Sequence, residues 1–148
     1  MKKKVDKNIS MVGSGWSFQN IGKKFDSHVK KSIPFYDEVH ELCLSCSEFF
    51  THENATFLDV GCSTGTLIKK FSKKYNIKNH KINFIGIDTV ASMINEANKK
   101  NSDKRAKFKK ISILDLNYKN RIDLITSIFT IQFIKPNQRQ KSFNNIYK

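Results

Sequence analysis

Phe57-Leu58-Asp59-Val60-Gly61-Cys62-Ser63-Thr64-Gly65-Thr66-Leu67 is the stretch whose reading decides the fold. Its apolar run closes on an acid, passes into a loop of small residues and enters an apolar-periodic segment. That order predicts a buried strand, a tight turn and the start of a helix. Gly61 and Gly65 can take positive φ and let a ligand approach the backbone. Ser63 or Thr64 is placed to cap the helix, whose first N–H groups would attract a carboxylate or phosphate.

Three readings of this loop compete. One is a nucleotide-type cofactor site at the carboxyl end of the first strand of an open α/β sheet. A second is a nucleophile elbow, because Gly61-Cys62-Ser63-Thr64-Gly65 fits G-x-S-x-G. The elbow needs an acid and then a histidine after the serine. His80, in a polar turn soon after the helix, is the only later histidine, and no such order follows. The third is a glycine turn that serves packing alone.

The next apolar run separates them. Lys81-Ile82-Asn83-Phe84-Ile85-Gly86-Ile87-Asp88 again ends in an acid. A carboxylate at the tip of a second strand can accept hydrogen bonds from both hydroxyls of a ribose. The loop is not G-x-G-x-x-G, so a nicotinamide dinucleotide is disfavoured.

The whole chain bounds these readings. Its 148 residues suffice for one domain with a real core. No run of eighteen apolar residues occurs, so no membrane span is expected. No secretory signal follows the basic start, and three cysteines without framework spacing fit a reducing cytoplasm. The net charge of +14 suits nucleic acid or another anionic substrate, with its densest cluster between Lys99 and Lys110. Lysines on solvated faces account for that charge equally well, since arginine is scarce.

In chain order, residues 1 to about 12 read as a basic tail, ending by residue 15. A helical cap is expected over 16–54, with Pro34 near the start of a helix over 35–50. Val39, Leu42, Cys43, Cys46, Phe49 and Phe50 recur there at helical spacing and predict its buried face. The pair Cys43 and Cys46, with His40 and His52 nearby, fits no standard zinc spacing, so core cysteines are expected and no metal. Strands are expected at 56–60, 82–88, 106–113 and 122–129. Leu67, Ile68, Phe71 and Tyr75 mark one intervening helix, and Val90, Met93, Ile94 and Ala97 another. A last helix covers about 137–147. This order predicts a parallel sheet with right-handed crossovers over residues 55–148.

Asp59-x-Gly61-x-Ser63-x-Gly65 followed by Ile85-Gly86-Ile87-Asp88 resembles the first two motifs of the class I S-adenosylmethionine-dependent methyltransferases. Phe25-Asp26-x-His28-Val29, Ser32-Ile33-Pro34-x-Tyr36, Phe129-Thr130-Ile131-Gln132-Phe133 and Pro136-x-x-Arg139-Gln140 narrow the match. Together they resemble the carboxy-S-adenosyl-L-methionine synthases. That family makes carboxy-S-adenosylmethionine from S-adenosylmethionine and prephenate, for modifying the wobble uridine of tRNA.

The resemblance implies a Rossmann-like α/β fold and either S-adenosyl-L-methionine or carboxy-S-adenosyl-L-methionine as cofactor. It assigns Tyr36 to the cofactor's methionine end. Gly61, Cys62 and Ser63 fall against the cofactor, within the motif that includes Asp59 and Gly65. Asp88 and Thr89 fall to ribose and adenine, and Ser112 and Ile113 to adenine. Ile128 stands where the family has an asparagine beside the cofactor. His28 reads as structural, and no residue is assigned a catalytic role. Seven strands are usual in such sheets and four are expected here, so a second copy or another partner would complete the sheet, or the protein is a shortened one. The alternative function is a shortened, non-catalytic module that binds RNA, such as tRNA, or a protein.

Overall fold

A computed structural model describes residues 10–12, 15–17, 22–76, 81–118 and 121–147. The expected polar turn with His80 lies outside these residues. The chain first pairs β1 (Ser10–Val12) with β2 (Gly15–Ser17) in antiparallel register, where the sequence suggested a tail to residue 15 and then the start of a helical cap. Helices α1 (Phe25–Ser32) and α2 (Tyr36–Cys46) follow, with Pro34 between them. Then come β3 (Thr56–Val60), α3 (Thr66–Lys74), β4 (Asn83–Asp88), α4 (Ala91–Lys100), β5 (Ala106–Lys110), β6 (Leu124–Thr126) and α5 (Pro136–Ile146).

Strands β3 to β6 form one parallel sheet in the order β5-β4-β3-β6. The central pair is largely apolar because both of its faces are covered, with the acids Asp59 and Asp88 near its carboxyl end. Phe57 and Phe84 face α3, packing with Leu67, Ile68, Phe71 and Tyr75. Phe57 meets Phe71, Tyr75 and Phe84 edge-on, with centroids 5.4, 5.8 and 5.9 Å apart. On the other face Leu58, Val60, Ile85 and Ile87 pack with Ile113 and Leu116, and Ile146 of α5 joins them.

Several boundaries differ from expectation for local reasons. The third strand stops at Lys110 because Ser112 opens a 3-10 turn, its Oγ accepting from Leu114 N–H at 3.1 Å. The fourth strand keeps only three residues before a chain reversal in which Phe129 takes φ 53°. Helix α2 ends at Cys46 and tightens into a 3-10 turn over Ser47–Phe50.

The buried face of α2 is also rotated from the expected one. Leu42 and Phe49 are 62% and 87% exposed, and Phe50 and Cys46 are exposed too. His40 and Ser47 point inward instead, with Cys43 and Leu44 against the core. Ser47 tolerates burial because its Oγ lies 2.6 Å from the Tyr75 hydroxyl and donates to Leu44 C=O. Polar partners, invisible in a hydrophobicity pattern, choose the face.

Candidate functional site

A cleft of about 1110 Å³ opens at the carboxyl ends of the four parallel strands, beneath α1 and α2. Open α/β sheets bind ligands at this end. Tyr36, Asp59, Gly61, Cys62, Ser63, Asp88, Thr89, Ser112 and Ile113 all line it, as does Ile128. Gly65 does not. It begins α3 at φ 72°, and a Cβ there would lie 2.8 Å from both Asn101 and Phe108, so its smallness serves packing against the sheet.

The loop after β3 turns through three left-handed residues, Gly61 at 73°, Ser63 at 50° and Gly65 at 72°. The N–H groups of Gly61 and Cys62 both donate to Ile87 C=O, at 2.8 and 3.0 Å. Ser63 N–H donates to Asp88 Oδ2 at 2.9 Å. Three loop donors are therefore satisfied internally, and the loop is no phosphate cradle at those positions. Ser63 and Thr64 are not helix caps either: Ser63 Oγ donates to Met93 Sδ at 3.4 Å, and Thr64 is drawn to Asp26.

Asp88 ties two turns together. Its second oxygen accepts from Val90 N–H at 2.9 Å at the entry to α4. Burial pushes this carboxyl up from its usual range, against the pull of the Val90, Ser63 and Thr89 N–H groups. Each oxygen keeps lone-pair capacity toward the cleft.

Asp26 of α1 fastens the roof. It accepts from Thr64 Oγ1, from Thr66 Oγ1 at 3.3 Å and from Lys100 Nζ at the end of α4. Burial raises its pKa, but the Lys100 and Thr64 bonds outweigh it and hold the carboxyl below the usual range.

Deeper in the cleft, Asp59 is 4% exposed and accepts from Thr126 Oγ1 of the adjacent strand at 2.8 Å. Burial pushes its carboxyl up to about 7, opposed by that hydrogen bond and aided by Asp88. Burial likewise raises the Cys62 thiol and the Tyr36 phenol. Tyr36 stacks on Phe129, with centroids 6.3 Å apart and planes at 23°, and tilts against His40 at 4.4 Å. Burial lowers the His40 imidazole to about 4.

The sequence reading weighed His40 only for zinc, quoted Phe129 and Thr130 only as part of a motif and did not single out Lys135, yet all four line the cleft. One signal was present: His40 stands one helical turn after Tyr36. The sequence had no signal for Lys135 beyond its place before Pro136. Among the described residues no group of three His, Cys, Asp or Glu side chains is arranged to hold a metal, and no helix is long and apolar enough to cross a membrane.

A parallel sheet with helices on both faces, a glycine turn after one strand and an acid at the tip of the next define a Rossmann-like cofactor-binding fold of the methyltransferase type. The chain belongs to the Methyltransferase domain family, whose model matches residues 57–148. It is 36% identical to the carboxy-S-adenosyl-L-methionine synthase of Staphylococcus epidermidis, over 90% of this chain and 58% of that protein. It thus spans a little over half the length of the curated relatives it matches. The N-methyltransferase NodS of Bradyrhizobium japonicum, solved with S-adenosyl-L-homocysteine, superposes with a TM-score of 0.62 at 21% identity, covering 76% of this chain and 55% of that one. An amino pentose methyltransferase of Micromonospora echinaspora, solved with S-adenosylmethionine, gives 0.65 at 14% identity, covering 82% and 49%. These likenesses bear out the fold and the resemblance read from the motifs.

Proposed function

We propose that the cleft binds S-adenosyl-L-methionine, or its carboxylated form, and that the protein acts as a transferase related to the carboxy-S-adenosyl-L-methionine synthases. One observation carries this reading: residues that the motifs mark at distant points of the sequence line a single cleft. The chemistry of the lining fits the ligand. A sulfonium is cationic, and the wall offers the acids Asp59 and Asp88 and the stacked rings of Tyr36 and Phe129. The saturated N–H groups of Gly61, Cys62 and Ser63 suit a ligand without phosphate.

When bound, the cofactor supplies an already electrophilic carbon beside its sulfonium. The residues of this chain then bind and orient. Asp88 accepts from the ribose hydroxyls while holding the Ser63 loop in place. Ser112 and Ile113 border the adenine, and Tyr36 and Phe129 wall the sulfonium side and exclude water. Positioning of this kind is a large part of catalysis for such transfers.

Residues 22–54 act as a cap over the core that begins at residue 55. A reducing cytoplasm suits the three cysteines, all free in the structure. A role in wobble uridine modification is what the family resemblance read from the motifs implies. Strand β6 ends the sheet among the described residues, and a partner, a second copy of the chain included, would pair there.

A second reading, the non-catalytic RNA-binding module, draws on Lys107, Lys109 and Lys110, which β5 presents to solvent. Native mass spectrometry with S-adenosylmethionine titration tests the first reading. A saturable complex at micromolar concentrations is expected. No complex at millimolar ligand overturns it, and steeply salt-dependent tRNA binding without turnover would then favour the second.

A further inference from the structure

His40 stands one helical turn beyond Tyr36 on the inward face of α2. Its imidazole is 3% exposed and lines the cleft, packed against the Tyr36 ring at 4.4 Å. Its Nδ1 has no hydrogen-bond partner among the described residues. Buried polar atoms in folded proteins are nearly always bonded, and one left alone opposes folding. An apolar side chain would suit a cleft wall that also carries Val29, Ile33, Leu67 and Ile128. A polar ring kept in such a place needs a reason, and the cleft provides one.

The sheet order indicates which part of a ligand the ring meets. Asp88 and Ser112 follow β4 and β5, on one side of β3. Phe129 follows β6 on the other side, and Tyr36 and His40 gather against it. An S-adenosyl ligand with its adenosine over β4 and β5 extends its amino-acid end toward β6.

We infer that His40 is a binding residue whose Nδ1 hydrogen-bonds the amino-acid end of the S-adenosyl ligand beside Tyr36. The inference rests on the cofactor reading above. Its low pKa keeps the ring neutral at pH 7, with one N–H and one lone pair. A neutral ring bonds a zwitterionic amino-acid group without repelling its ammonium or the nearby sulfonium.

Calorimetric titration with two ligands tests this. S-Adenosylhomocysteine carries the amino-acid end, and 5′-methylthioadenosine lacks it. His40→Leu should lose about tenfold in affinity for S-adenosylhomocysteine, the size of one hydrogen bond to a charged group, and leave methylthioadenosine binding unchanged. His40→Asn, which can present a polar atom near the Nδ1 position, should recover most of the loss. Equal losses for both ligands, or none, overturn the inference. Should wild-type protein bind neither ligand, the cofactor reading falls with it, which is distinct from wild-type binding that His40→Leu leaves intact. If His40→Leu does not fold, nitrogen NMR of the wild-type imidazole decides: S-adenosylhomocysteine must shift Nδ1 and methylthioadenosine must not.

Discussion

A Cβ at Gly61 would sit 2.2 Å from Thr130 Oγ1 and 2.5 Å from its Cγ2. The loop after β3 and the reversal after β6 are therefore fitted to each other across the mouth of the cleft. Gly61 also holds φ 73°, so two independent costs meet at one position. Gly61→Ala should destabilise the fold by about 2 kcal/mol or more, through left-handed backbone and overpacking. Thr130→Ala in that background removes the two nearest atoms and should restore part of the loss. Urea unfolding of the wild type and the two variants checks this, and an undiminished Gly61→Ala protein would show that the two segments yield easily.

Asp88 carries two tasks, and they separate by measurement. With two backbone N–H groups held at 2.9 Å, Asp88→Ala should cost about 1–3 kcal/mol of stability without ligand. Affinity for S-adenosylmethionine should fall about tenfold or more, as ribose contacts to a carboxylate are lost. Asp88→Asn keeps one acceptor oxygen and should sit between. A stable Asp88→Ala protein of unchanged affinity would remove the residue from both tasks.

Asp59 makes stability depend on pH. Burial raises its carboxyl to about 7 in the folded protein, from an ordinary value of 3.8. The folded state then binds more protons than the unfolded state between these values, so this contribution is complete below about pH 4 and is lost as pH rises through 7. Asp59→Asn keeps an oxygen for Thr126 and should flatten the fall. Thermal unfolding from pH 5 to pH 8 reads the difference, and parallel profiles for the two proteins would contradict it.

The roof is expected to depend on one carboxylate. Asp26 joins α1 to Thr64 and to Lys100, in a pair whose side chains are 32% and 28% exposed. Asp26→Ala should cost about 1–2 kcal/mol, since Thr64 is buried and loses its carboxylate acceptor, keeping only Thr66 Oγ1 at 3.3 Å. Hydrogen exchange should speed up in α1 more than in β3 and β4. Uniform exchange across the chain would deny that Asp26 fastens α1.

The parts of this fold that could be read from sequence are those in which one strand or helix decides its own fate. The β3 run matched from Thr56 to Val60 because its apolar residues and terminal acid need no partner to be recognised. The buried positions of α3, Leu67, Ile68 and Phe71, matched for the same reason. Helix α2 misled because its orientation is set by the Ser47 hydroxyl meeting Tyr75 and by Tyr36 stacking on Phe129, contacts between distant residues. Asp26 was visible as part of a motif, but its grip on Thr64 and Lys100 required the fold. Gly65 looked like Gly61 in sequence, and only the positions of Asn101 and Phe108 show that it serves packing.

Phe129 holds φ 53°, a conformation that costs an ordinary residue about 1–2 kcal/mol and a glycine nothing comparable. Its ring is what the conformation delivers, laid against Tyr36. Phe129→Gly would thus relieve the backbone while dismantling an aromatic wall of the cleft. At this position a sequence improved for stability alone would drift toward a smoother and emptier cavity. The tension in that one peptide marks where selection for a folded chain and selection for an occupied pocket pull in opposite directions.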